Sequence, residues 1–325
     1  PDWADMMLIA PATANVLCKM AHGIADDALT TTFAAMRKPV LIAPAMNTNM
    51  YESPATQEAI KQLSQWDNIT MLDAASGELA CGTSGKGRMQ EIDVLLAAAQ
   101  YVLTPKTLDG KRVLITAGPT HEAIDPVRYI TNASTGKMGY AIASACLRRG
   151  AQVTLVSGPS QISMKAWEAF APLTIVPVKS AMDMYNATLH SFDQSDISIL
   201  CAAVADFTPQ TQASQKIKKE KGQTTMTLEM TITKDIAASL GEIKRKDQKL
   251  VGFALETHDE LSNAQRKLQT KNLDIIVLNS LQDKGAGFGT DTNKVTFVYP
   301  SGTTKNLPLI SKEEVADEII NNILE

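Results

Sequence analysis

The sequence predicts an α/β protein built on mostly parallel sheets, and three observations carry that prediction. First, apolar runs of strand length recur at 7–10, 39–44, 113–116, 152–156, 173–178, 197–203, 250–256 and 274–279. They lack the in–out alternation of a half-solvated strand and so read as strands covered on both faces. Second, stretches with helical spacing lie between them, such as 140–147, which closes on Arg148, Arg149 and Gly150 as a basic last turn and terminal glycine. Third, Pro105, Thr107 and Gly110 break the pattern once, at 104–110. Strands alternating with helices make a parallel sheet. The reading is therefore two Rossmann-like three-layer domains, residues 1–105 and 106–325, a division that suits 325 residues.

In the first domain, strand 7–10 ends at Pro11 and leads through 12–15 into a helix carrying Val16, Leu17 and Met20. Strand 39–44 also ends in Ala-Pro, followed by a polar, small-residue turn at 45–51. Two such turns at one sheet edge suggest a shared site. A third strand spans 69–72, a glycine-rich loop with one thiol spans 80–89, and a helix over 91–101 closes the unit. In the second domain, helices are expected at 182–192 and 260–271. The stretches 225–230 and 294–299 alternate polar with apolar and read as edge strands or hairpin arms. Ser311 with Glu314 is a capping box that opens the last helix.

A composition of 44% hydrophobic and 20% charged residues is that of a soluble globular protein. No apolar run approaches the length of a transmembrane helix. The start, Pro1-Asp2-Trp3, has no basic n-region and no initiator Met, so the chain is expected to be a fragment that begins inside its first domain. A net charge of −4 argues against general nucleic-acid binding. Cys18, Cys81, Cys146 and Cys201 show no C-x-x-C spacing; Cys146 and Cys201 sit in apolar contexts as buried thiols, and a reduced, cytoplasmic setting is the expectation.

The stretch after strand 113–116 is unusual. The loop 118–135 exceeds the normal length of a βα connection. It gathers Thr120, His121, Arg128, Asn132, Ser134 and Thr135, groups that bind anions or carbonyls, with Lys137 just beyond. Its end, STGKMG, looks like a P-loop, but Thr131 stands where the first Walker A glycine belongs and Met138 follows the lysine. A nucleotide-dependent oxidoreductase of ordinary Rossmann type would need a G-x-G-x-x-G after the strand and an acid after the next one; neither is present. A basic segment, Lys216-Ile217-Lys218-Lys219-Glu220-Lys221, reads either as a solvated loop or as a flexible clamp over phosphates.

Taken together, ITAGPT (115–120), DPVRYITNASTGKMG (125–139), AAVADF (202–207), KIKK (216–219), GFALET (252–257) and the spaced Lys267 and Lys271 resemble one family. So do APATAN (10–15), PAMNTNMY (44–51) and ACGTSGKGRM (80–89) in the first domain. The chain is similar over essentially its whole length to the bacterial bifunctional phosphopantothenoylcysteine decarboxylase/phosphopantothenate–cysteine ligases of coenzyme A biosynthesis. That resemblance implies a ligase that activates 4′-phosphopantothenate with CTP and Mg²⁺ as an acyl-cytidylate, then joins it to cysteine. It implies Lys216 for cytidylate formation and Asn132 for processing the intermediate. Nucleotide contacts are implied for Ala202, Ala203, Asp206, Asp235, Ile236, Phe253, Lys267 and Lys271, with Gly118 allowing close backbone approach. For the first domain it implies FMN-dependent decarboxylation, with Cys81 as proton donor, Asn47 on the substrate carboxylate and Thr13 beside the flavin. The family's active-site histidine and flavin-phosphate loop are expected upstream of Pro1, so the flavin site is expected to be incomplete in this stretch. The resemblance further implies a homo-oligomer, with ligase dimers and decarboxylase trimers. No metal ligands are assigned, and no nucleic acid or membrane partner is expected.

Overall fold

In the computed structural model, which describes every residue except 1, 79–81, 83, 220, 222, 257, 281–286 and 288, the apolar runs form parallel strands and the amphipathic stretches form the helices between them. The chain divides into two units: Pro1–Thr107 with Lys165–Ala171, and Leu108–Met164 with Pro172–Glu325.

The first unit contains β1 (Met7–Ala12), α1 (Ala14–Ala21), α2 (Ala28–Ala34), β2 (Val40–Pro44), α3 (Thr48–Tyr51), α4 (Pro54–Leu63), β3 (Ile69–Met71), β4 (Ala75–Glu78), β5 (Ser84–Arg88) and α5 (Ile92–Leu103). Strands β1, β2 and β3 form a parallel sheet in that order. All five residues of β2 are buried. Successive side chains of a strand point to opposite faces, so Val40 and Ile42 join a cluster with Leu17, Met20 and Leu63, while Leu41 and Ala43 join Leu72, Val94, Leu95 and Ala98. That is the expected three-layer arrangement. The glycine-rich loop proves to be partly a hairpin, β5 pairing antiparallel with β4. Segment Lys165–Ala171 returns to this unit: Ala166 and Phe170 pack on the second cluster, and the Phe170 ring meets Tyr101 edge-on at 5.9 Å.

The second unit follows with β6 (Arg112–Ala117), β7 (His121–Ala123), β8 (Tyr129–Thr131), α6 (Lys137–Arg148) and β9 (Gln152–Ser157). After the returning helix α7 (Lys165–Glu168) come β10 (Leu173–Pro177), α8 (Ala181–Phe192), β11 (Ile197–Leu200), β12 (Phe207–Pro209), β13 (Met230–Ile232), α9 (Ile236–Ile243), β14 (Lys249–Glu256), α10 (Glu260–Thr270) and β15 (Ile275–Ser280). The chain ends with β16 (Thr292–Asn293), β17 (Val295–Val298), β18 (Thr304–Asn306), β19 (Ile310–Ser311) and α11 (Lys312–Leu324). One sheet runs β10-β9-β6-β11-β14-β15-β17-β18. Its first six strands are parallel and its last two antiparallel. The capping box at Ser311 and Glu314 opens α11 as the sequence predicts.

Two expectations change. The long loop 118–135 is partly folded, because β7 and β8 pair antiparallel and the His121 ring stacks on Tyr129 at 3.9 Å. Strands of three residues show no readable period. Of the expected strand 225–230, only Met230 is in a strand; β13 pairs with β12, while the exposed Thr225 and Thr227 lie in backbone without regular structure. Of the two expectations for 294–299 the hairpin arm holds: β17 pairs antiparallel with β18 across a turn at 299–303, and β15 flanks its other side. Cys146 is buried as expected and Cys201 is half-buried; loss of solvent pushes both thiols up to about 12.

The loops after β6 and β9 meet closely. Gly118 adopts φ +76°, and a Cβ there would stand 3.0 Å from the Gly158 oxygen. A Cβ on Gly158 would stand 1.8 Å from the Pro119 oxygen, so the backbone would have to move. Gly158→Ala should therefore cost about 1–3 kcal/mol. The melting temperature should fall by roughly 2–12 °C, measured by circular dichroism on the whole chain. A value unchanged within a degree would show that the two loops can part freely.

Candidate active site

The strand order sets the site. From β6 the chain winds to β9 and β10 on one side, then crosses to β11 on the other. The loops leaving β6 and β11 therefore diverge at their carboxyl ends, the crevice where ligands bind in open α/β sheets. Here the two loops are also sewn together. Ala203 N–H donates to the Gly118 carbonyl at 2.9 Å, and Ala205 N–H donates to Thr120 Oγ1 at 3.0 Å. Thr120 is fully buried. Asn132, just after β8, donates from Nδ2 to the carbonyls of Ala203 (3.0 Å) and Val204 (3.2 Å). Thr131 Oγ1 donates to the Thr120 carbonyl at 2.8 Å. The hairpin β7–β8 thus holds Asn132 against the β11 loop.

Beside these loops opens a cleft of about 380 Å³. Its wall contains Ala202, Asp206, Asp235, Ile236, Phe253, Lys267 and Lys271, all singled out from the sequence, together with Val204, Ile232 and Lys234. Lys267 lies in the last turn of α10 and Lys271, four residues on, caps its C-terminus, a spacing that puts both on one side of the helix end. Each is already paired: Lys267 Nζ lies 2.7 Å from Glu256 Oε1 and Lys271 Nζ 2.8 Å from Asp235 Oδ2. Asp235 also caps α9, its Oδ1 accepting from Ala238 N–H at 3.0 Å. Burial pushes the Asp235 carboxyl up, but the bonds from Lys271 and Ala238 outweigh it and hold the group below its usual range. Apolar walls with two cation–carboxylate pairs suit an aromatic base joined to an anionic chain.

Gly118 and Ala203 stand in the sewn loops rather than in the cleft wall. Lys216 also stands outside it. The lysine is exposed on the excursion 210–229 between β12 and β13, and the neighbouring Ile217 N–H donates to Asp125 Oδ2 at 3.1 Å. A second cavity, about 210 Å³, is lined there by Arg128, Lys218 and Lys219. Sequence reading missed Asp125 and Glu256 as parts of the site, although both fall in quoted strings. The Asp-Pro-x-Arg order at 125–128 is a turn signature that could have drawn notice to Asp125.

In the first unit, Thr13 and Asn47 stand at the carboxyl edges of β1 and β2. Thr13 Oγ1 accepts from Val16 N–H at 3.4 Å, and Asn47 Oδ1 from Asn49 N–H at 2.9 Å. The two turns are joined by Ala45 N–H donating to the Ala12 carbonyl at 2.9 Å. Strand β5 closes in from above, Met46 N–H donating to the Gly87 carbonyl at 2.8 Å. Next to Asn47, Thr48 Oγ1 is buried and finds no hydrogen-bond partner among the described residues. Cys81 lies outside the described residues. Among those described, no three His, Cys, Asp or Glu side chains converge as metal ligands, and no helix is long and apolar enough to cross a membrane.

Comparison with known proteins agrees with both halves. The model of the DNA/pantothenate metabolism flavoprotein C-terminal domain matches residues 108–325, and the flavoprotein model matches residues 1–103. The chain is 51% identical over 325 residues to the coenzyme A biosynthesis bifunctional protein CoaBC of Bacillus subtilis (strain 168), covering 99% of this chain and 78% of that protein. It is 48% identical over 327 residues to a cysteine/cysteine sulfinic acid decarboxylase from an unknown prokaryotic organism, covering 99% and 89%. Among solved structures it is similar to the C-terminal domain of a CoaBC protein, with a TM-score of 0.55 and 42% identity over 67% of this chain and 96% of that one. The chain belongs to the pantothenate-metabolism flavoprotein family of bifunctional coenzyme A biosynthesis proteins.

Proposed function

We propose that the chain serves coenzyme A biosynthesis through two activities. The second unit joins 4′-phosphopantothenate to cysteine using CTP, and the first serves the decarboxylation of the product. The observation that carries the ligase reading is the cleft at the strand-order reversal, where Asp206, Asp235, Phe253, Lys267 and Lys271 converge.

A carboxylate is a poor electrophile, and its attack on a triphosphate brings anions together. In the first half-reaction the carboxylate oxygen of 4′-phosphopantothenate bonds to the α-phosphorus of CTP, and the bond to pyrophosphate breaks. Lys267 and Lys271 leave Glu256 and Asp235 to hold phosphate oxygens, so the cleft meets developing charge with cations already in place. Lys216 adds a mobile point charge for this step. In the second half-reaction the cysteine amine bonds to the acyl carbon and CMP leaves. Asn132, held beside the 203–204 carbonyls, orients the acyl-phosphate and the incoming amine through its amide. Mg²⁺ would accompany the triphosphate, held by the Asp206 carboxylate in the cleft wall, because Mg²⁺ keeps waters and needs few protein carboxylates. It supplies charge neutralisation there.

The joined turns after β1 and β2 carry Thr13, Asn47 and the buried Thr48 Oγ1, which has no hydrogen-bond partner among the described residues, and would form one side of an FMN site. FMN supplies the thiol oxidation that makes loss of CO₂ possible. Asn47 holds the substrate carboxylate, and Cys81 returns a proton to the product.

The cleft lacks Lys216 within one chain. Exposed apolar side chains on the surrounding elements, Val127, Tyr129, Phe207 and Ile232, support a homodimer in which each copy lends its lysine segment to the other.

Three outcomes follow from this reading. Lys216→Gln should slow pyrophosphate release, assayed with CTP, 4′-phosphopantothenate and cysteine each omitted in turn, by on the order of 10²-fold. Its melting temperature should not change, since the lysine is exposed; normal release removes the lysine from the mechanism. Asn132→Asp should still consume CTP and accumulate acyl-cytidylate, detected by mass spectrometry of quenched reactions. Normal amide yield with no intermediate contradicts the role of the amide. Mixing the two inactive variants after reversible dissociation should restore part of the activity, whereas a ligase unit that is monomeric by light scattering at working concentration rules out a shared site.

A further inference from the structure

We propose that Asp125 is a positioning residue whose buried carboxylate latches the segment carrying Lys216 to the turn between β7 and β8, and so sets where that lysine stands. The inference rests on the reading of Lys216 given above, and its test separates the two.

Asp125 has a side chain with no exposure to solvent. Its two oxygens have different tasks. Oδ1 accepts from the N–H groups of Val127 (2.8 Å) and Arg128 (2.9 Å), the usual bonds of an Asx turn. A turn needs no more than that. Oδ2 accepts from the Arg128 guanidinium, at 3.0 Å from Nε, and from Ile217 N–H at 3.1 Å, across 92 residues of chain. The same guanidinium donates from Nη2 to the Ile217 carbonyl at 2.9 Å. Both polar groups of one residue on the lysine segment are therefore gripped, the N–H by the carboxylate and the carbonyl by its ion-pair partner. A further tie, Ala213 N–H to the Ile124 carbonyl at 3.0 Å, joins the same two strips of chain.

The grip falls on the residue after Lys216, whose Cα stands about 3.8 Å from the lysine Cα. Residues 211–219 have no helix or strand of their own, and Lys216, Lys218 and Lys219 are exposed cations close together in sequence that repel one another. Nothing in such a stretch sets its own path. The Arg128 guanidinium holds the Asp125 carboxyl well below the usual carboxylate range, so the latch stays charged at any working pH. Asp125 and Asn132 are borne by one hairpin, so the same element orders the groups assigned to both half-reactions.

The test uses the full chain. Asp125→Asn replaces an acceptor by an amide that presents N–H toward N–H. Ile217→Pro removes the other partner's donor from an exposed loop, and keeps the measurement informative should the buried change unfold the protein. Both variants should slow pyrophosphate release about 10–100-fold, the scale of a misplacement of about 1 Å, while CTP affinity by equilibrium binding stays within about twofold. Trypsin cleavage after Lys218 and Lys219, mapped by mass spectrometry under native conditions, should become at least about tenfold faster in both variants; the bond after Lys216, which precedes the new proline in the second variant, resists trypsin and is left out of the comparison. In a double-variant cycle, adding Ile217→Pro to Lys216→Gln should cost nothing further, because the latch acts through the lysine. Unchanged cleavage in the Ile217→Pro chain overturns the latch. Faster cleavage with a fully additive double variant leaves a structural turn and also overturns it as a positioning device. A fully active Lys216→Gln chain with faster cleavage in Ile217→Pro overturns the reading of Lys216 instead, and with it the claim that the latch serves catalysis.

Discussion

At the carboxyl end of β6, backbones meet with no space left for a side chain, and the rest of the ligase unit depends on that contact. Gly118 faces Gly158, and a Cβ on Gly136 would stand 3.3 Å from Gly118 Cα. This crowding lets α6 start directly over the strand and lets the loops of β6 and β11 lie close enough to share hydrogen bonds. Without it Thr120 could not reach Ala205, and Asn132 could not reach the 203–204 carbonyls. The polar side chains of the site are held by a backbone scaffold, which is the condition for placing a reacting group to within fractions of an ångström.

Charge in this unit is arranged in pairs that ligands can rearrange. Lys267 and Lys271 rest on Glu256 and Asp235, at the edge of solvent, where such pairs contribute little to stability. A polyphosphate offers more negative charge than one carboxylate, so it can displace the resting partners at small cost. The pair at Asp125 and Arg128 is of another kind: its carboxylate is buried and its bonds are spent on backbone. One set of pairs is open to solvent, and the carboxylate of the other is closed to it.

Much of the architecture was legible because buried parallel strands write themselves as apolar runs and their helices as a repeat of 3.6. The i, i+4 lysines at the end of α10 and the small-residue turns after β1 and β2 were legible for the same reason, since local spacing decides them. What was not legible is non-local. The hairpin β7–β8 has strands too short to show a period, and Glu256 gives no local sign that it will meet Lys267. Asp125 reads as a turn residue; its bond to Ile217 depends on where a distant excursion returns. The excursion itself misled in the other direction, because the alternation at 225–230 looks like a strand while most of it has no partner to pair with.

The return of Lys165–Ala171 to the first unit bears on how separable the two halves are. Two activities on one chain invite the picture of beads on a string, each recoverable by a single cut at the linker. Here the string passes through the first bead twice. The side chains of Ala166 and Phe170 complete an apolar layer begun by residues from 41 to 98, so a piece ending at residue 107 would leave that layer open to water. A gene split at the linker would hand one product a hole and the other a loose aromatic plug.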